Sequence, residues 1–294
     1  MKGLVTNQNE DSMLKMFAAA QRLYRDAKLI YSIYSGLSLL IAVSTVIVAT
    51  AVRSSEHIID LISFIVTMLY YICIKGAIKH KVVQAAKTQE EIDVKLFGLE
   101  WNDQLVGHRV PREVISRASR RFGLRNLESL KDWYPDVSDV PYPASVLICQ
   151  QSNLSWDHHQ RQQYTYILIG AVCIIAFGDI AWMWVSNLPI RDALLEQFVP
   201  VISLLLFGID GIRHNRQLIV QKKAIHEEVL NLIESKIMDR DFEVSVCRRI
   251  QDKIYQTRTE PIFVPEWFYR MTKRRLQMDM VDAARDYEKL IQGH

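Results

Sequence analysis

The sequence is poor in the features that staple a chain, bind metal or mark a catalytic centre. Its four cysteines, Cys73, Cys149, Cys173 and Cys247, lie far apart with no C-x-x-C pair. That excludes a disulfide-knit mini-protein, leaves a zinc site or redox pair without support, and makes reduced thiols the expectation. Only 11 glycines and 8 prolines occur in 294 residues, which excludes a collagen-like chain, and a 49% hydrophobic composition excludes long disorder. Neither sign of charge dominates, since 36 Lys and Arg against 33 Asp and Glu leave +3. G-x-S-x-G, a phosphate loop ending in GK[ST], H-E-x-x-H and G-x-G-x-x-G are all missing, so the sequence points to no enzyme and no resident cofactor. His158 and His159 adjoin, but neighbours on a helix point about 100° apart and no third ligand follows at a useful spacing, so no metal is expected. Residues 1–28 lack the short apolar core and cleavage site of a secretory signal, and the amino terminus is expected to stay in the mature protein.

What the sequence does hold is apolar residues gathered into four runs. Leu29–Val52 has 24 residues without one charge, enough to cross roughly 30 Å of hydrocarbon at about 1.5 Å per residue. Ile58–Ile78 is apolar apart from Asp60 near its start and Lys75 near its end. Gln162–Gly178 is free of charge for 17 residues and continues past Asp179 to Val185. Ala193–Ile212 contains QFVPVISLLLFGI, flanked by Glu196 and interrupted by Asp210. The shorter charge-free cores of the second and fourth runs would also suit buried helices. Charge decides the count. The connections Arg53–His57 and Ser186–Asp192 hold one basic residue each, whereas residues 1–28, 79–163 and 213–294 hold 5, 12 and 16. The positive-inside rule places the basic regions together in the cytoplasm, and two crossings alone would leave the middle region outside.

The expected architecture is an all-α integral membrane protein. It comprises a cytoplasmic amino-terminal helix (1–28), a transmembrane hairpin (29–78), a cytoplasmic helical region (79–163), a second transmembrane hairpin (164–212) and a cytoplasmic helical tail (213–294), with both termini inside. Val82–Leu99 has a helical pattern, PREVISRASRRF (Pro111–Phe122) opens with a helix-starting proline, and DWYPDVSDVPYP (Asp132–Pro143) reads as a loop. Leu218, Ile225, Val229, Ile233 and Ile237 form a one-faced stripe at helical spacing.

Ionisable groups within the apolar runs are costly and face protein or water. Lys75 and Asp210 each lie about 17 residues, or about 25 Å, from the outer ends of their helices; either they pair or both snorkel to the inner interface. Asp179, about 10 Å inside the third, either bonds to a neighbouring helix or joins a carboxylate ring lining a cation-favouring pore in an oligomer. Asp60 is nearer the outer interface. On the cytoplasmic side Arg117, Arg120, Arg121 and Arg125 cluster, Trp133 and Tyr134 follow, then Trp156 with Arg161, and EWFYRMTKRR (Glu266–Arg275) repeats the theme. These groups fit anchors against anionic lipid, or recognition of a nucleotide by guanidinium groups on phosphate and rings on bases.

Several strings carry a resemblance: AAAQRLYRDAK (Ala18–Lys28), LFGLEWNDQLVG (Leu96–Gly107), LKDWYPDVSDVP (Leu130–Pro141), LICQQSNLSWDHHQRQQY (Leu147–Tyr164) and QDKIYQTRTEPIFVPEWFY (Gln251–Tyr269). In this order, around four apolar segments and over roughly residues 8 to 290, the chain resembles the SMODS-associated four-transmembrane effectors of bacterial cyclic-oligonucleotide antiphage systems. The resemblance implies an inner-membrane effector paired with a nucleotidyltransferase. A cyclic di- or trinucleotide would activate it to permeabilise or depolarise the membrane, stopping growth before phage release. No nucleotide-binding residue is carried over from the family. The expected partners are the lipid bilayer, the cyclic oligonucleotide and further copies of the chain, with no DNA or RNA polymer. Two other readings stay open at this point, a constitutive ion channel or small transporter and a non-conducting scaffold that recruits a partner through its tail. For the topology, reporter fusions after Lys28, Arg121 and Gln292 should give cytoplasmic signal and fusions at Ser55 and Leu188 extracytoplasmic signal; the opposite sign at either loop rejects four crossings.

Overall fold

The computed structural model describes residues 7–51, 56–185, 199–236 and 243–292. The connection 186–192, with Arg191, and the residues Arg53, Glu196 and Ile237 lie outside the described residues, as do the side chains of Asp60 and Arg125. The described elements are helical: α1 (Asp11–Ala51), α2 (Glu56–Leu69), a π-turn (Tyr70–Ile74), α3 (Lys75–Phe97), α4 (Asp103–Val106), α5 (Arg112–Phe122), a 3-10 helix (Leu124–Leu130), α6 (Ala144–Val185), α7 (Val199–Lys236), α8 (Val244–Arg258) and α9 (Glu266–Gln292). No strand occurs among the described residues, in keeping with the all-α expectation.

Two compact units divide the chain. One comprises residues 1–27, 79–161 and 218–294, the other 28–78 and 162–217. In the first unit, local sequence explains both where helices stop and which faces they bury. α3 ends because Gly98 takes φ +65°, and the Leu99 N–H reaches back to the Val94 carbonyl at 3.0 Å, the 6→1 bond of a Schellman cap that a Cβ would penalise. α5 buries Ile115, Ala118 and Phe122 at i, i+3 and i+7 and leaves its arginines in solvent. The stripe Leu218, Ile225, Val229 and Ile233 of α7 is buried, with Ile225, Val229 and Ile233 in a core that includes Phe17, Ile92, Phe97, Leu147, Ile148 and Ile254.

A polar network runs through that core. The Asp93 carboxylate accepts hydrogen bonds from Tyr134 Oη (2.6 Å), Gln251 Nε2 (2.8 Å) and Arg258 Nη1 (2.5 Å). Glu90 accepts from Arg248 Nη2 (2.6 Å) and Gln251 Nε2 (2.9 Å), and Gln150 Nε2 donates to Gln251 Oε1 (3.1 Å) and to the Cys247 carbonyl (2.9 Å). Arg248 also donates to Asp252 through Nε (3.1 Å) and Nη2 (2.7 Å), so three carboxylates share two guanidinium groups, and Glu90, Asp93 and Gln251 are fully buried. Burial and the nearby Asp93 charge push the Glu90 carboxyl up, while Arg248 and Gln251 act in the other direction. The loop before α6 is held from the chain's beginning. Asn9 and Asp132 exchange bonds of 2.8 and 3.0 Å, and the Gln8 amide spans the Tyr134 N–H (2.9 Å) and carbonyl (3.2 Å).

In the second unit the large apolar side chains are turned outward. Among the described residues one helix, α6, is long and apolar enough to cross a membrane, and Ile174, Phe177, Trp182, Trp184 and Val185 on it are all more than half exposed. The first expected span is the second half of α1. The second is shared between α2, the π-turn and α3, and α7 is described only from Val199, so neither forms one described helix with a long apolar core. Tyr34 on α1 stacks on Tyr70 of the π-turn with ring centroids 3.9 Å apart. α6 and α7 pass so close at Gly208 that a Cβ there would lie 2.5 Å from Val172 Cγ2, the small-residue contact by which apolar helices approach.

The network makes a graded prediction. Arg258→Met strips Asp93 of its paired charge inside the core and is expected to cost about 3–5 kcal/mol. Tyr134→Phe removes one of three donors and should cost about 1.5–3 kcal/mol. Denaturant melts of the detergent-purified protein should rank the two in that order, and equal small losses would contradict it.

Candidate functional site

The arginines and aromatic residues singled out from the sequence separate into three groups within the first unit. Arg117, Arg120 and Arg121 lie on the exposed face of α5. Arg120 Nη1 donates to Ser116 Oγ at 3.0 Å, and the Arg121 guanidinium reaches Asp26 of α1 at 3.9 Å while its carbonyl accepts from Arg22 at 3.3 Å. Arg22 and Lys81 also pair with Asp26, at 2.9 and 3.9 Å, and Arg25 sits over the Phe122 ring at 5.2 Å. More cations than carboxylates therefore gather where α5 packs on the start of α1. Such a surface suits the oxygens of a phosphate.

Trp133 and Tyr134 are brought to the core side of the same unit by the Gln8 and Asn9 clamp. Trp133 is half-buried against Phe17, ring centroids 5.2 Å apart. Tyr134 is buried edge-on to Phe97 at 5.1 Å, and its hydroxyl is engaged by Asp93. Burial and the Asp93 charge both raise the Tyr134 phenol above its ordinary value, so it stays a donor.

Trp156 and Arg161 stand at a third place, where α6, α7 and α9 meet. Trp156 meets Tyr269 edge-on at 5.5 Å. Asp157 Oδ2 accepts from Arg161 Nε at 2.8 Å and from Lys222 Nζ at 2.6 Å, and Arg161 Nη1 donates to the Ile262 carbonyl at 3.0 Å. Burial alone would raise the Asp157 carboxyl, but Arg161 and Lys222 together outweigh it and hold the group well below the usual carboxylate range. The i,i+4 spacing of Asp157 and Arg161 is visible in the sequence, whereas Lys222, 65 positions on, has no local signal. Asp93, Glu90, Gln251 and Arg258 were likewise not singled out from sequence, because their partners lie far along the chain. Among the described residues no three His, Cys, Asp or Glu side chains converge as a metal-binding group.

In the second unit, Lys75 Nζ lies over the Tyr71 ring at 5.4 Å, and no ion pair joins it to Asp210 among the described residues. Asp210 is exposed. Asp179 is partly enclosed, and its Oδ2 has no hydrogen-bond partner among the described residues.

Beside Asp157, acid has a defined effect. Burial, with the neighbouring His159 and His226, lowers the His158 imidazole to about 4, and burial also lowers His226. An unfolded histidine titrates near 6.5, so between about pH 6.5 and 4 the unfolded chain binds the extra proton and the folded one does not. This contribution to stability is complete above pH 6.5 and is lost as pH falls through that window. The melting temperature should therefore drop from pH 6.5 to 4, and His158→Gln should flatten the slope; an unchanged slope rejects the assignment.

With the geometry in place, comparison with known proteins gives a consistent answer. A probable CBASS effector molecule of Bacillus cereus strain VD146 is 24% identical over 295 residues, covering 98% of this chain and 96% of its own length. No solved structure matches the chain. The family described as the SMODS-associating 4TM effector domain matches residues 2–287, and the chain belongs to that family.

Proposed function

We propose that the protein is an inner-membrane effector of antiphage defence, which senses a cyclic di- or trinucleotide and responds by permeabilising or depolarising the membrane as a homo-oligomer. Family membership over nearly the whole chain carries the reading, and the division into two chemically different units supports it. In this reading the four apolar runs form two hairpins with both termini cytoplasmic, and the outward-facing apolar side chains of α6 contact lipid. The first unit is the receiver. Arg117, Arg120 and Arg121 take the phosphates of the ligand, with Arg125 a further candidate from the sequence, while Trp133, Tyr134, Trp156 and Arg161, at two other places in the unit, are the remaining candidates for ligand contact. Binding shifts the population between two helix packings of the spans, and the charged side chains within the spans, Asp60, Lys75, Asp179 and Asp210, are the candidates to line the path. No catalytic step is required.

The test is direct. Purified protein in liposomes should bind a cyclic di- or trinucleotide in calorimetry and release an entrapped dye only with that ligand. Replacing Arg117, Arg120 and Arg121 together by alanine should weaken binding at least tenfold and lower the melting temperature by no more than a few degrees, since the Arg120–Ser116 bond and the Arg121–Asp26 pair are made by exposed arginines and exposed contacts contribute little. Leakage without nucleotide would favour a constitutive channel instead, and neither binding nor leakage with any cyclic di- or trinucleotide rejects the proposal.

A further inference from the structure

Five large hydrophobic side chains are exposed among the described residues of the first unit: Tyr142, Val220, Trp267, Met271 and Met278. The last three share one face of α9. That helix seats Phe268, Thr272 and Leu276 in the unit, and on its opposite side Trp267, Met271, Arg274, Met278, Val281 and Arg285 recur at spacings of 4, 3, 4, 3 and 4. Such an alternation is the seam of a two-helix coiled coil. Trp267, Met271 and Met278 are 57%, 64% and 53% exposed, and side chains from Arg270 to Arg285 line a shallow, open depression along the helix. Exposed tryptophan, methionine and arginine in one patch is the composition of a protein interface rather than of a solvated helix.

Charge identifies the occupant. The first part of α9, Glu266–Arg275, has four basic residues and one acidic; the remainder, to Gln292, has two basic and four acidic. An anionic lipid surface would meet Asp279, Asp282 and Asp286 along with the arginines, and a uniformly charged partner would be repelled by one half. A second α9 set antiparallel places each positive half against a negative one, an isologous twofold contact. We propose that α9 is a self-pairing surface, which joins two copies of the chain through antiparallel α9 helices with Trp267, Met271 and Met278 in the seam. The inference rests on the oligomeric part of the proposed function and assigns its contact.

To test it, Met271 is replaced by photoreactive p-benzoylphenylalanine in the full-length protein reconstituted in anionic and in zwitterionic nanodiscs. Irradiation should give a dimer whose adduct maps to residues 276–292 of the second copy in both lipids. Arg274→Glu with Arg275→Glu, or Asp279→Lys with Asp282→Lys, should each lower that yield at least fivefold. Mixing the two variants should restore it, because each reversed half then meets its opposite. An adduct to lipid, or to the second copy outside α9, overturns the α9 assignment while the oligomeric reading stands. A monomeric mass by light scattering overturns both.

Discussion

One buried carboxylate organises the first unit. Asp93 sits on α3 with no access to water and gathers donors from the loop at Tyr134 and from Gln251 and Arg258 of α8. Glu90, one turn earlier, shares Gln251 and adds Arg248. An uncompensated charge here would be costly, so the three elements hold together only in the arrangement that supplies every donor. Hydrophobic burial of Phe17, Phe97, Ile148 and Ile254 provides the bulk of the attraction, but apolar contacts tolerate sliding. The directional bonds to Asp93 select one packing among the many that would bury the same surface.

Much of the secondary structure was legible because helix signals are local. The stripe from Leu218 to Ile233 and the proline ahead of α5 each act within a few residues, and α7 and α5 fall where those signals place them, whereas the helical pattern through Leu99 runs past Gly98, where α3 stops. The Asp93 network was not legible, since its partners are 41, 158 and 165 positions away and a lone Asp, Gln or Arg has no periodicity. It did leave a trace of another kind. Tyr134, Gln150, Asp157, Gln251 and Arg258 all fall inside the strings that carried the family resemblance.

The two units solve opposite solvent problems with the same secondary structure. In the first, polar side chains are drawn inward and satisfied by one another, as at Asp93 and Asp157. In the second, aromatic and aliphatic side chains face outward, and close passages such as Gly208 against Val172 replace a hydrophobic drive that would vanish in lipid. The candidate groups follow this division: the exposed arginines of α5 belong to the first unit and the isolated carboxylates Asp179 and Asp210 to the second.

The Asp93 network also dictates an order of manufacture. The ribosome makes Gln8 and Asn9 first and the loop they clamp more than 120 residues later, while Gln251 and Arg258 follow only after residues 162–217 have been synthesised. The first unit therefore cannot close until all four apolar runs have left the ribosome. In the proposed membrane topology, both hairpins are already available to the insertion machinery while the first unit is still open, so a nascent chain has no finished first unit before its spans are made.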